Sequence, residues 1–208
     1  MSADKISVYV VEDDLSFRKS TERLIRASGF EVISFGSADA FLAETSIRHP
    51  ACLVLDVRLP GIDGLCLQQK LIERGSLLPI IFMTGHGDIP MSVQAMRNGA
   101  VDFLPKPFEA KDLRNAIAKA IEKDTRECEK EVEVTRVQVL INALSPREHE
   151  VLRWVITGKL NKQIADAINV TEKTVKAHRG QVMKKLKADS VADLIRLSQK
   201  VGIAPAIL

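Results

Sequence analysis

Five short apolar runs, at residues 6–11, 32–35, 52–55, 80–83 and 101–104, recur along the first half of a 208-residue chain, with helical-period segments between them. Runs of that length without apolar–polar alternation are expected of strands covered on both faces. The intervening segments, at about 15–28, 38–46, 65–74, 89–98 and 109–122, carry helix stop signals at Gly29, Gly75 and the Asn98-Gly99 pair, where a left-handed cap costs little. Five such repeats bury their apolar surfaces as a five-stranded parallel sheet, doubly wound with helices on both faces: an α/β unit.

Ligands of such sheets bind beyond the carboxyl ends of the strands. Here those positions are polar: Glu12-Asp13-Asp14 follow the first run, Asp56 the third, Thr84 the fourth and Lys106-Pro107 the fifth. Crowded carboxylates repel one another and resist desolvation, and a hard cation such as Mg²⁺ with oxygen ligands relieves both effects. Mg²⁺ commonly takes one or two carboxylates plus a phosphate, which leaves one aspartate able to attack phosphorus. Lys106 would then neutralise one phosphoryl oxygen and Thr84 would hydrogen-bond another.

The first 120 or so residues resemble the receiver domain of bacterial two-component response regulators, a flavodoxin-like fold. The motifs are Val10-Val11-Glu12-Asp13-Asp14, Leu53-Val54-Leu55-Asp56-Val57-Arg58-Leu59-Pro60-Gly61-Ile62-Asp63-Gly64, Met83-Thr84-Gly85-His86 and Phe103-Leu104-Pro105-Lys106-Pro107-Phe108. The resemblance implies that Asp56 accepts a phosphoryl group from a histidine kinase. It further implies that Glu12, Asp13, Asp56 and the backbone carbonyl of Arg58 hold Mg²⁺, and that Thr84 and Lys106 sense the phosphate. Phe103 takes the family's aromatic switch position, and the Lys106–Pro107 bond is expected to be cis. The family often has Asp where Glu12 stands; the charge is kept and the reach changes.

A single aspartate in a strand–helix loop is more often a helix N-cap than a nucleophile, and Asp14 suits that plainer role. A phosphohydrolase with a nucleophilic aspartate would need a second Asp two residues later, where this chain has Arg58. Without that acid–base the acyl phosphate persists, which suits a signal better than turnover, so no enzyme is expected.

Residues 144–208 carry 12 Lys+Arg against 6 Asp+Glu, a net +6 within a chain of net +3. A basic C-terminal segment joined to a near-neutral larger one suggests an anionic partner, nucleic acid foremost. Ser145-Pro146-Arg147-Glu148 is a capping box with proline at the first helical position. Gly158 stops that helix, Asn161 and Thr171 are candidate caps for two more, and Ser190 opens a fourth. Between the second and third lies Ile164-Ala165-Asp166-Ala167-Ile168-Asn169-Val170, with Asn169 suited to a left-handed turn. This is the pattern of a helix-turn-helix whose second helix, about 172–186, enters a DNA major groove.

In that helix Val175, Val182, Met183 and Leu186 point inward with help from His178, and Lys173, Lys176, Arg179, Lys184 and Lys185 are expected outside. Lys176 and Ala177 are candidates for base edges, with Lys173, Thr174, Arg179 and Lys184 on the phosphate backbone. The segment resembles the LuxR-type four-helix DNA-binding domain, and its joint pattern resembles FixJ-type regulators. Gly180 departs from the Ala or larger residue of relatives and weakens the helix by up to about 1 kcal/mol relative to Ala.

The expected organisation is a receiver over 1–121, a helical linker over 122–143 and a small all-α DNA-binding domain over 144–208. The linker segment has no Pro or Gly; its weak apolar stripe (Ile117, Ile121, Cys128, Val132, Val139) favours a partly exposed helix over a long coiled coil. No apolar stretch approaches the roughly 20 residues of a membrane span, and Met1 to Lys5 begin no signal peptide, so a cytoplasmic protein without a membrane partner is expected. Three widely spaced cysteines suggest neither disulfides nor a zinc site.

The function that these resemblances imply is a transcription regulator that binds double-stranded DNA, phosphorylated at Asp56 and dimeric when phosphorylated. The alternative is a phosphorylation-independent DNA-binding regulator whose receiver is only a protein-interaction module.

Overall fold

The computed structural model describes residues 6–44, 46–85 and 89–207, with the side chains of Ile89 and Pro90 left aside. The expectations for Met1 to Lys5 and the His86 position lie outside those residues. The chain divides into two compact units, Met1–Glu129 and Lys130–Leu208.

The first unit alternates strands and helices: β1 (Ser7–Val11), α1 (Leu15–Ala27), β2 (Glu31–Phe35), α2 (Ala38–Leu42), β3 (Ala51–Asp56), α3 (Gly64–Glu73), β4 (Ile80–Thr84), α4 (Ile89–Arg97), β5 (Asp102–Pro105) and the start of α5 (Ala110–Asn142). The sheet is parallel, in the order β2-β1-β3-β4-β5. Every residue of β1, β3 and β4 is buried, whereas β2, on the edge, is half-buried throughout. The period of two sends alternate residues to opposite faces. Tyr9, Val11, Leu53, Leu55 and Phe82 pack on one side with Phe41 and Leu67, and Val8, Val10, Cys52, Val54, Ile81 and Met83 pack on the other with Ile25, Leu113 and Ile117.

The stop signals act as expected, with left-handed backbone at Gly29 (φ +88°), Gly75 (φ +71°) and Gly99 (φ +90°). Helix α2 is shorter than its period suggests. Glu44 Oε1 accepts from Ser46 N and faces Ser46 Oγ, a local capture that competes with another helical turn. The segment after the receiver-like unit is wholly helical: α5 runs 33 residues without a break. Its exposed valines, Val132 and Val139, are not the positions that pack; Val137 and Ile141 are, in the core of the second unit.

That second unit adds α6 (Pro146–Val155), α7 (Asn161–Ala167), α8 (Glu172–Leu186) and α9 (Val191–Lys200). Ser145 and Glu148 form the reciprocal capping box, and Thr171 and Ser190 cap α8 and α9. Asn161 is not a cap. Leu160 holds that place, and its N–H is met by Gln163 Oε1 at 2.9 Å, which leaves Asn161 inside the helix. Asn169 is left-handed (φ +52°), and Val170 N donates to Ala165 O at 3.0 Å, closing the turn between α7 and α8. Among the described residues no helix is long and apolar enough to cross a membrane.

Candidate functional site

In a sheet of this order the crevice lies where the chain reverses direction, between β1 and β3. β1 runs into Glu12 and Asp13, and β3 ends at Asp56. Asp14 is the N-cap of α1, its Oδ1 accepting from Phe17 N at 2.6 Å, so it is turned to the helix and not to the cluster. Ligand atoms of Glu12, Asp13 and Asp56 lie within 4.8 Å of one another.

Lys106, beyond β5, reaches back into this cluster. Its Nζ donates to Glu12 Oε2 and to Asp56 Oδ2, both at 2.6 Å. Register puts it there: Thr84 pairs with Pro105, Lys106 N donates to Thr84 O at 2.6 Å, and the Lys106–Pro107 bond is cis. Glu12, Asp56 and Thr84 are buried, while Asp13 is exposed. Arg58 N donates to Asp56 Oδ1 at 3.1 Å, so the loop after β3 turns back beside the carboxylate.

Two buried carboxylates therefore share one ammonium, and net negative charge stays in a site of low dielectric. The Glu12 carboxyl is pushed up to about 7, first by burial and further by the Asp56 charge, against the pull of the Lys106 hydrogen bond. A hard divalent cation fits this donor set: oxygens only, excess negative charge, and one exposed carboxylate at the entrance.

Phe17 and Arg18 also belong to the site and were not picked out from the sequence. Lys106 Nζ lies 4.2 Å from the centroid of the Phe17 ring, and that ring meets Phe108 edge-on at 5.7 Å. Arg18 Nη1 donates to the backbone oxygen of Glu12 at 2.5 Å. Their place in the first turn of the helix after the acidic triplet was the available signal. Phe103 is half-buried against Phe82, with centroids 6.2 Å apart.

On α8, Val175, Val182 and Leu186 are buried and Met183 and His178 half-buried, which separates the faces as expected. Lys173, Lys176, Ala177 and Lys184 are exposed. Thr174 is half-buried, its Oγ1 2.8 Å from that of Thr171. Arg179 is also half-buried, and its Nη1 donates to Asn161 Oδ1 at 2.9 Å, tying α8 to α7. Lys185 is not available outside: its Nζ donates to Glu148 Oε2 at 2.6 Å and to Ala143 O at 3.2 Å.

Residues 8–118 match the response regulator receiver domain, and residues 142–198 match the luxR family of bacterial regulatory proteins. Among curated proteins, Nodulation protein W of Bradyrhizobium diazoefficiens is 49% identical over 203 residues, 98% of this chain and 89% of the relative. Transcriptional regulatory protein FixJ of the same organism is 39% identical over 196 residues, 94% of this chain and 96% of the relative. Among solved structures, response regulator StyR superposes with a TM-score of 0.82 at 42% identity, covering 94% of this chain and 99% of that one. Full-length FixJ from B. japonicum gives 0.57 at 38% identity, covering 97% and 99%.

The chain belongs to the response regulators, with a receiver domain followed by a LuxR-type DNA-binding domain. It is a transcription regulator of the FixJ type.

Proposed function

We propose that this regulator stores a phosphoryl group on Asp56, taken from a sensor histidine kinase in the cytoplasm, and that the modified chain dimerises and binds double-stranded DNA. The observation that carries the reading is the shared contact of Lys106 Nζ with Glu12 and Asp56 at 2.6 Å each, at the carboxyl edge of the sheet. Glu12, Asp13, Asp56 and the backbone carbonyl of Arg58 would hold Mg²⁺. When bound, Mg²⁺ offsets the charge of the carboxylates and of the incoming phosphoryl oxygens.

An Asp56 oxygen attacks phosphorus as the bond to the kinase's histidine nitrogen breaks, and the departing imidazole takes its proton from solvent. Lys106 exchanges Asp56 for a phosphoryl oxygen, and the Thr84 hydroxyl bonds another. The movement of Thr84 opens space for the half-buried Phe103, and the surface around β5 and α4 repacks into the dimer face.

The proposed organisation remains 1–121, 122–143 and 144–208, with the middle segment as helical linker. On DNA, Lys176 and Ala177 face base edges, and Lys173, Thr174 and Lys184 face phosphates. Arg179, held by Asn161, contacts phosphate from a fixed position. Paired DNA-binding domains gain affinity through effective concentration.

The test is incubation with acetyl phosphate and Mg²⁺. Wild-type protein should take a base-labile label, shift to dimer and protect promoter DNA. Asp56→Asn should do none of these; footprints equal with and without label would overturn the reading.

A further inference from the structure

At the opposite end of β3 from Asp56, roughly 16 Å away at about 3.3 Å per residue, three side chains of different chemistry converge. His49 lies two residues before β3, and Asp124 and Cys128 stand four apart on α5, hence on one helix face. Their ligand atoms all lie within 4.8 Å of one another. The Asp124 carboxylate is fully buried. Its Oδ2 accepts from Ala51 N at 2.8 Å, and His49 Nδ1 lies 3.0 and 2.8 Å from its two oxygens. Neither partner carries a fixed positive charge, whereas a buried carboxylate calls for one.

We propose that His49, Asp124 and Cys128 form a second metal site, for a borderline-soft divalent ion of the zinc class, separate from the acidic cluster at Asp56. One nitrogen, one carboxylate oxygen and one sulfur are a zinc-type donor set, and a thiolate discriminates against Mg²⁺ and Ca²⁺. Tetrahedral coordination at about 2.0–2.3 Å from the ion needs donor atoms roughly 3.3–3.8 Å apart, within reach of side-chain rotations from the present spacing. On binding, the Cys128 thiol releases its proton to solvent and the imidazole keeps its proton on Nε2, which frees the Nδ1 lone pair. His49 is more than a third exposed, which gives the ion an entry path and leaves a fourth position for water. The simpler role of the His49–Asp124 pair is to fasten α5 to the start of β3. That role needs no sulfur, and the position of Cys128 distinguishes the two.

Cobalt(II) is the probe, added to full-length untagged protein in excess Mg²⁺ so that the acidic cluster is occupied. The expected result is one equivalent bound, with a near-ultraviolet sulfur-to-cobalt charge-transfer band that Zn²⁺ removes by displacement. Cys128→Ser should abolish the band and weaken Co²⁺ binding by at least about tenfold, while helical circular dichroism and the His49–Asp124 pair persist. His49→Gln should weaken binding as well, and Cys66→Ser should leave the band unchanged. A wild-type protein without the band, or a band that survives Cys128→Ser, overturns the proposal.

Discussion

A Cβ carbon on Gly64 would lie 2.3 Å from the backbone carbonyl oxygen of Asp56 and 3.0 Å from the Cα of Val57. The first residue of α3 thus presses directly on the chain beside the proposed phosphoacceptor, and Gly64 N donates to Val57 O at 2.9 Å. Because both obstructing atoms are backbone, no side chain can swing aside. Gly64→Ala should destabilise the receiver unit by about 1–3 kcal/mol, as overpacking does, and should slow labelling of Asp56 by acetyl phosphate. Urea unfolding followed by circular dichroism, together with the labelling rate, checks this; a Gly64→Ala protein labelled at the wild-type rate would show that the contact does not position Asp56.

Acid should weaken the second unit through Glu148. Its carboxyl is held at about 2, first by the hydrogen bond from Lys185 and next by the backbone N–H of Ser145. A depressed folded-state value means that the stabilisation is complete above the ordinary carboxylate value, about 4.5. It is lost as pH falls from there towards 2. The chain's single tryptophan, Trp154, is buried in the core of this unit, so its fluorescence reports the unit selectively. The urea midpoint should fall between pH 5 and pH 3 in the wild type and change less in Glu148→Gln. Equal acid sensitivity in the two proteins would refute the assignment.

Gly180 sits on α8, and apart from its chain neighbours and the backbone of its own helix nothing lies within 4 Å of where a Cβ would stand. Its replacement by Ala therefore meets no clash and removes a helix penalty of about 1 kcal/mol. The melting transition of the second unit, read by Trp154, should rise by roughly 4–8 °C, the shift expected for a domain of this size. A melting point no higher than the wild type's would mean that the glycine is needed for another reason.

Two lysines of α8 should differ in what they lose on DNA. Lys184→Ala should weaken binding to target and unrelated duplexes alike and lower the slope of log affinity against log salt by about 1. Lys176→Ala should cost about 1–3 kcal/mol on the target alone. Fluorescence anisotropy across a salt series separates the two, and a Lys184→Ala protein with an unchanged slope would remove that residue from the phosphate contacts.

Strands, caps and stops were legible because each is written in a few neighbouring residues. The apolar runs marked β1, β3 and β4 to within a residue or two, since strands buried on both faces are built mostly of apolar side chains, with Ser7, Asp56 and Thr84 as polar exceptions at the strand ends. Asn169 and Ser145 declared a left-handed turn and a capping box through their own backbone preferences. Asn161 misled for the same reason: it is a good capping residue, but Gln163 satisfied the N–H one position earlier. The length of α5 beyond the receiver was readable from the missing Pro and Gly. Which of its residues pack was not, because Val137 and Ile141 are buried only by helices that follow.

Local residue patterns set the order of elements and which chemistry stands at each strand end, because hydrophobic period and turn preference act over a handful of residues. Tertiary structure alone decided which of those groups meet. The contact of Lys106 with Glu12 spans 94 residues and exists only because β5 and β1 share one sheet in fixed register. Lys185 looked like a DNA-facing cation until α6 brought Glu148 to it, and the fixed position of Arg179 was not foreseeable before α7 brought Asn161 to it. Pairings of that kind depend on where whole elements pack, and no local pattern in either partner encodes them.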